Sequence, residues 1–507
     1  MRLPSCYESF WLDELHSAWS VWGSWSEVAP RAAAGNQTPP YFWLLWIWKQ
    51  LLGDSEWVLR LPSVVATSGA AALLTLGLSR TRRGLLGGAT AGVLLAMETS
   101  SIFYGTELRP FGAVVLLATI ACWFVARPVA SNGHGTLMVV ALTMLAAAIQ
   151  PTSIGVFGWL LAARLAFMRL AFMRPLLPPD EVQPSLPRRS LRRLPRLAEP
   201  ILMFIALTLS VAWFGDDVLR NAWRHRTQWQ EMGRADSLLQ LWQAWPWGAI
   251  VLLPGLSLLV IKCSVYLQQG PTVSSSRVKA AQMPWWGLAL AMLAAVSTFW
   301  LASAMGIAPV FHRRYFVAAL PILVWAGGDA VCQAVEQSAG LRWRPLCRSA
   351  VAWLLAASPI VALIATQGTA ARLYSGDMPL VRRGEGWREA VRYLRQHADP
   401  TAAVHVSPGL VETGRLLNTP PSEQDMDAQW YLTYPLSGPY LWPNVHAFDH
   451  SSAARSGELP ALIRGSRASA QRWVAQGDRV PHLGGARVKS FGGVQVIEKL
   501  VASLPNQ

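Results

Sequence analysis

Two adjacent carboxylates, Asp13 and Glu14, lie in a short segment that is followed by long apolar stretches. Ionised side chains are costly close to lipid, so they are rarely kept there without a function. A carboxylate at a membrane surface can take the proton from an attacking hydroxyl or amine, which is general base catalysis. A simpler interpretation is a solvated pair beside a helix N-terminus, where the helix dipole favours acidic residues.

A third carboxylate, Glu107, precedes Arg109 in a short polar stretch between two apolar segments. Glu107 could orient a substrate or hold a divalent cation, and Arg109 could bind a phosphate through two parallel hydrogen bonds. The alternative is a salt bridge from Glu107 to Arg109 or Arg60 that only orders the loop. No other metal site or cofactor is indicated, because the five cysteines lack the close pairs typical of zinc ligands.

A cluster of cations, His312, Arg313 and Arg314, comes just before a late apolar stretch that contains Pro321. Cations at a membrane surface suit a phosphate whose negative charge grows during a reaction. The alternative is that the arginines only extend to the lipid headgroups and that Tyr315 anchors the helix end.

The composition of the 507 residues indicates the class of fold that positions these side chains. Of the chain, 52% is hydrophobic and only 14% is charged, whereas soluble domains are about 25% charged. Apolar stretches of the length that a bilayer requires predict about ten transmembrane helices, near 62–79, 84–103, 109–127, 135–151, 152–168, 199–215, 247–266, 284–305, 315–334 and 348–367. The predicted fold is therefore an all-α polytopic membrane protein.

Positive charge is distributed unevenly between alternate loops. Eighteen Lys and Arg residues fall in one set of loops and seven in the other, and the basic loops of membrane proteins stay in the cytoplasm. The Asp13-Glu14 segment, loops 104–110 and 306–314 and the C-terminal tail are then predicted to face outward. The net charge of +15 does not indicate nucleic-acid binding, because its largest cluster lies between two apolar segments: Arg188, Arg189, Arg192, Arg193 and Arg196.

Three regions are predicted along the chain. Residues 1–61 form an outward first loop with the acidic motif and interfacial helices, and residues 62–367 form the transmembrane helical domain. Residues 368–507 form a small α/β extracytoplasmic domain. Its helical signal lies in Trp387–Leu394, and its strand signals lie in Ala403–Val406 and Val494–Ile497.

Two motifs after the acidic pair, Thr38-Pro-Pro-Tyr-Phe-Trp43 and Gly53-Asp-Ser-Glu-Trp-Val-Leu-Arg-Leu-Pro-Ser63, complete a recognisable order. The opening of the chain resembles that of the bacterial polytopic sugar transferases of the GT-C class. This family (family 39-like) is related to protein O-mannosyltransferases and to the aminoarabinose lipid A transferase. That family carries a transmembrane helix before the acidic pair. We expect that the protein starts upstream of Met1; the alternative is that the first helix is absent.

The resemblance implies an integral-membrane glycosyltransferase of the cytoplasmic (inner) membrane. It would move a hexosyl or pentosyl group from a polyprenyl-phosphate carrier to an envelope lipid, glycan or protein, with inversion. The implied catalytic residues are Asp13 (the base), Glu14 and Glu107, and the implied lipid-phosphate-binding residues are Arg109, His312, Arg313 and Arg314. The alternative is a secondary transporter or lipid flippase, a class that typically has repeated halves and ionisable residues at the bilayer midplane.

Overall fold

The computed structural model describes residues 2–79, 84–126, 133–173, 220, 223–224, 226, 233–269, 283–400, 403–408, 426–447, 471–476 and 486–499. This part of the chain is mostly helical and carries one five-stranded sheet. Its helices are α1 Leu3–Cys6, α2 Leu12–Ser20, α3 Trp25–Ala34, α4 Pro39–Leu52, α5 Glu56–Leu78, α6 Gly84–Met97, α7 Thr99–Tyr104, α8 Phe111–Ala126, α9 Gly133–Ile149, α10 Ile154–Met173, α11 Leu239–Gln243, α12 Leu253–Gln269, α13 Trp285–Ala304, α14 Ala319–Ser338, α15 Pro345–Thr366, α16 Thr369–Ser375, α17 Trp387–His397 and α18 Met426–Ser437. Its strands are β1 Val404–Ser407, β2 Val445–Ala447, β3 Gln471–Gln476, β4 Ala486–Phe491 and β5 Val494–Lys499.

Five helical segments of the described chain are long and apolar enough to cross a membrane: Glu56–Leu78, Pro151–Met168, Gly248–Gln269, Trp285–Ala304 and Pro345–Thr366. Three shorter apolar helices accompany them, within α6, α8 and α9. The prediction of a polytopic helical membrane protein with a small C-terminal sheet is therefore confirmed. The span predicted at 199–215 lies outside the described residues.

One predicted span, 84–103, is divided into two helices in the structure. Glu98 leaves the helical conformation with ψ of 129° and becomes the N-cap of α7, where its carboxylate accepts the N–H of Ser101 at 2.6 Å. Its other oxygen accepts from the amide of Gln367 at 3.1 Å. The hydropathy of the stretch does not reveal this break, because it is made by one buried side chain.

The helical unit comprises Pro62–Thr106 and Pro110–Leu380. Helix α14 lies at its centre and packs against α6, α8, α12, α13 and α15. Glycines allow the close approach, since a Cβ at Gly87 would collide with the carbonyl oxygen of Gly328, and one at Gly327 with that of Ile250.

The second unit comprises Arg2–Leu61, Glu107–Arg109 and Val381–Gln507. Its sheet has the strand order β2-β1-β3-β5-β4, in which β1 is parallel to both neighbours and β5 is antiparallel to both of its own. Helix α17 packs on β4 and β5, and it buries Trp387, Val391 and Leu394 on one face. The helix and strands predicted in this region are present, while the division of the whole chain into three domains stays a prediction.

Helices α2 to α4 of the second unit carry the acidic motif. Glu14 closes a capping box at the start of α2, and Glu27 does the same for α3. Helix α4 begins at a Pro-Pro pair and ends at Gly53, whose φ of +97° only glycine adopts readily. This sharp end places Asp54 and Glu56 beside the second half of α2, where they line a cavity with Ala18 and Val21.

Candidate active site

Asp13 lies in the first turn of α2 and faces Arg109. Arg109 Nη2 is 3.1 Å from Asp13 Oδ1, and the two side chains are 7% and 23% exposed, respectively. The pair was singled out in sequence as a base and a phosphate ligand, and the structure brings the two side chains together. Asp13 is the more exposed partner of this pair.

Glu14, the neighbour of Asp13, is fully buried and bound on several sides. Arg60 donates to both of its oxygens, with Nε at 2.8 Å from Oε1, and Arg383 Nε lies 3.3 Å from Oε2. The N–H of Leu108 donates to Oε1 at 2.9 Å. Glu14 thereby ties the 107–109 segment to α2, which is how Arg109 comes to lie against Asp13.

The charges around Glu14 decide its protonation. Burial would raise the pKa of Glu14, but the attraction of Arg383 and Arg60 outweighs it and leaves the pKa below its usual value. Glu14 is therefore an ionised, inaccessible carboxylate at neutral pH. Of the two adjacent acids, Asp13 is the one that a substrate can reach.

Arg60 uses all five of its N–H donors inside the protein. Besides Glu14, it binds the carbonyl oxygens of Cys6 at 2.9 Å, Glu8 at 2.6 Å and Ser9 at 3.1 Å. The salt bridge between Arg60 and Glu107 that the sequence left open is therefore not formed. Glu107 is itself buried, at 1% exposed, and its role in orienting an acceptor stays a prediction.

Glu385 is a further carboxylate at the start of α2 that sequence reasoning did not single out. Its Oε2 accepts the N–H of Leu12 and the indole N–H of Trp387, both at 2.9 Å. Burial raises the pKa of Glu385 to about 7; these two hydrogen bonds lower it, and the charges of Asp13 and Glu14 raise it further. The available signal was an acidic residue between two glycines, directly before the amphipathic helix α17.

His16 lies one turn after Asp13 on α2 and is buried at 2% exposed. Its Nε2 is 3.2 Å from the carbonyl oxygen of Arg31, and its ring packs edge-on against Tyr431. Burial, assisted by the positive charge of Arg109, lowers the pKa of His16 to about 3. His16 is therefore neutral and packs beneath the site.

The predicted cations His312, Arg313 and Arg314 belong to the helical unit. Arg313 donates to Ser100 Oγ at 3.2 Å and to the carbonyl oxygen of Gln243 at 2.7 Å. Arg314 directs its backbone N–H and its Nε at His312 Nδ1, at 3.3 and 3.2 Å. Nδ1 therefore acts as an acceptor, and phosphate binding by these residues stays a prediction.

In the part of the chain that the structure describes, no three His, Cys, Asp or Glu side chains form a group that could hold a metal ion. Comparison with models of protein families gives no match, and no curated protein matches the chain.

Solved structures do resemble the chain. ArnT from Cupriavidus metallidurans bound to undecaprenyl phosphate is 14% identical with a TM-score of 0.44, covering 95% of this chain and 94% of that one. The same protein in the apo state is 14% identical with a TM-score of 0.45, covering 96% and 92%. At this level of similarity the comparison assigns no activity, so the function is argued from the site.

Proposed function

We propose that this protein is an integral-membrane glycosyltransferase that moves a sugar from a polyprenyl-phosphate carrier to an envelope lipid, glycan or protein. The observation that carries the proposal is the accessible carboxylate of Asp13, held by Arg109 beside the buried ion pairs of Glu14. The order of motifs around Asp13 supports the same chemistry. The bias of Lys and Arg between loops supports an outward-facing site and C-terminal region in the inner membrane.

The proposed reaction is a single displacement at the anomeric carbon of the sugar. An acceptor hydroxyl or amine attacks that carbon, and its proton passes to the carboxylate of Asp13. The bond between the anomeric carbon and the phosphate oxygen breaks, and the polyprenyl phosphate leaves with the electron pair. Attack opposite the leaving group inverts the configuration of that carbon.

The neighbours of Asp13 suit it to this role. Arg109 fixes the position of the Asp13 carboxylate through the ion pair at 3.1 Å. Arg109 is also the cation nearest the reacting atoms in this proposal, so it is a candidate to bind the phosphate. We further propose Glu107 for the acceptor and His312, Arg313 and Arg314 for the phosphate, and dialysis against EDTA tests whether a divalent cation takes part.

The proposal is tested by Asp13→Asn, assayed for transfer from radiolabelled polyprenyl-phosphate sugars in isolated membranes. Loss of a general base predicts a fall in rate of about 100-fold or more, with a normal protein level. Asp236→Asn is the matched control, because Asp236 is 56% exposed in an ion pair with Arg234 at 2.7 Å and should transfer normally. Unchanged transfer by Asp13→Asn would show that Asp13 is not the base and would contradict this mechanism.

One observation favours the alternative of a transporter or lipid flippase. Asp329 lies near the middle of α14, where it accepts a hydrogen bond from Gln333 at 3.0 Å. The sequence predicts a span at 315–334, and an ionisable residue inside a span is typical of proteins that move ions or substrates. If the unmodified protein moves lipid but transfers no sugar, and Asp329→Asn stops that movement, the transporter assignment replaces the transferase.

A further inference from the structure

The unit that carries Asp13 also contains a cavity of about 380 Å³ that the proposed reaction does not use. Ala18 of α2 and the following Val21 line it, together with the turn after α4 and the turn after α18. Successive helix residues are about 100° apart, so Ala18 projects about 140° away from Asp13 around α2. The cavity therefore lies on a different side of α2 from the Asp13–Arg109 pair.

The floor of this cavity is apolar and aromatic. Phe10, Val21, Leu59 and Tyr434 line it and are at most 2% exposed. Trp22 and Tyr440 add two further rings. The rings carry a negative face and favour a partner with slightly positive C–H bonds, and one face of a pyranose consists of such bonds.

Polar groups enter the cavity from several directions. The Lys49 ammonium donates to the carbonyl oxygens of Val21 at 3.1 Å and Trp22 at 2.8 Å, which leaves one of its three protons for a ligand. The carboxylate of Asp54 also lines the cavity, and it can accept hydrogen bonds from the hydroxyl groups of a ligand.

The charges that line the cavity select among ligand classes. Lys49 and Arg388 are balanced by Asp54 and Glu56, and Arg388 and Glu56 form an ion pair. A phosphate would meet both carboxylates, while a purely apolar ligand would offer no hydrogen bond to the Lys49 ammonium or the Asp54 carboxylate. A neutral ring with several hydroxyl groups satisfies the donors, the acceptors and the aromatic faces together.

We propose that this cavity binds a neutral sugar ring, and that in the transferase this ring belongs to a glycan acceptor. The first statement stands on the cavity alone, and the second rests on the proposed function. Binding a ring of the acceptor away from the reacting hydroxyl would let the enzyme select its acceptor by a unit that it does not modify.

The test measures binding by saturation-transfer NMR on the full chain, in an amine oxide detergent because maltoside and glucoside headgroups would compete. The probes are the methyl glycosides of glucose, galactose and mannose, and N-acetylglucosamine, at millimolar concentrations. Asp54→Asn replaces a charged acceptor in the cavity by a neutral amide and is expected to weaken binding about three- to tenfold, the value of one hydrogen bond. Trp22→Leu removes a ring and is expected to weaken it further.

Asp236→Asn is the matched control, since Asp236 is 56% exposed and belongs to the helical unit. Its binding should equal that of the unmodified chain. Absence of saturation transfer with every probe, or unchanged binding by both Asp54→Asn and Trp22→Leu, would overturn the sugar site. Neither result depends on transfer activity, so the proposed function is judged separately.

Discussion

At the scale of single residues, Asp13 and Glu14 show how neighbouring carboxylates acquire different roles. Asp13 is 23% exposed and forms an ion pair with Arg109, while Glu14 is fully buried between Arg60 and Arg383. The chemistry of the two side chains is the same. Their accessibility separates a candidate base from a group that holds the site together.

Glu14→Gln should therefore impair the fold rather than the chemistry alone. It leaves the buried guanidinium groups of Arg60 and Arg383 without their shared counter-charge, a change that typically costs about 3–5 kcal/mol. Thermal unfolding of the purified variant should show a large fall in melting temperature. Asp236→Asn is the control, because Asp236 and Arg234 are 56% and 71% exposed in their ion pair and such surface pairs contribute about 1 kcal/mol or less. Equal melting temperatures for the two variants would contradict this assignment.

The raised pKa of Glu385 predicts that the stability of the protein falls as the pH rises. The pKa of Glu385 is raised from 4.5 to about 7 in the folded protein, so the folded state holds a proton that the unfolded state has lost. The stability of the unmodified chain should fall as the pH rises from 4.5 to about 7. Glu385→Gln cannot acquire the charge and still accepts from Leu12 and Trp387.

The expected result for Glu385→Gln is equal stability near pH 4 and a gain above pH 7 of at most about 3 kcal/mol. Melting temperatures across that pH range provide the measurement. If Glu385→Gln already shows its full gain in stability near pH 4, the burial of the carboxyl and not its ionisation destabilises the unmodified chain.

At the scale of elements, the helical unit depends on close contacts around α14. Gly327→Ala would drive a methyl group into the carbonyl oxygen of Ile250, and forcing extra atoms into a packed core costs about 1–3 kcal/mol. Gly158→Ala is the matched control, because Gly158 also lies in an apolar helix and its Cβ would meet nothing within 4 Å. Thermal stability in detergent should fall for the first variant and hold for the second. Equal stability would show that α14 can shift at little cost.

The elements also show what the sequence could predict. Apolar length located the five segments of the described chain that are long enough to cross a membrane, since a segment that spans lipid must satisfy its own backbone hydrogen bonds. The break at Glu98 escaped that reasoning, because one carboxylate changes the mean hydropathy of a long apolar stretch only slightly. Helix α17 was predicted from its periodicity, which its burial on one face against β4 and β5 explains.

At the scale of the whole molecule, the motif order pointed to Asp13, Glu107 and Arg109, and the structure brings Asp13 and Arg109 into contact. The partners that hold Glu14 could not be predicted, since they come from parts of the chain far apart in sequence. Glu385 and the cavity beside Lys49 were missed for the same reason. Local patterns carry information about elements, whereas contacts between distant segments are set by the tertiary fold.

The residues that form ion pairs with Glu14 are synthesised at different times. Glu14 and Arg60 leave the ribosome early, whereas Arg383 is added more than 300 residues later. At about 5–20 residues per second, that interval is roughly a quarter of a minute to a minute. A nascent chain can therefore insert its helices and expose Asp13 well before the carboxylate beside it is enclosed. A translation product that ends before Arg383 would lack one of the two arginines that bind Glu14.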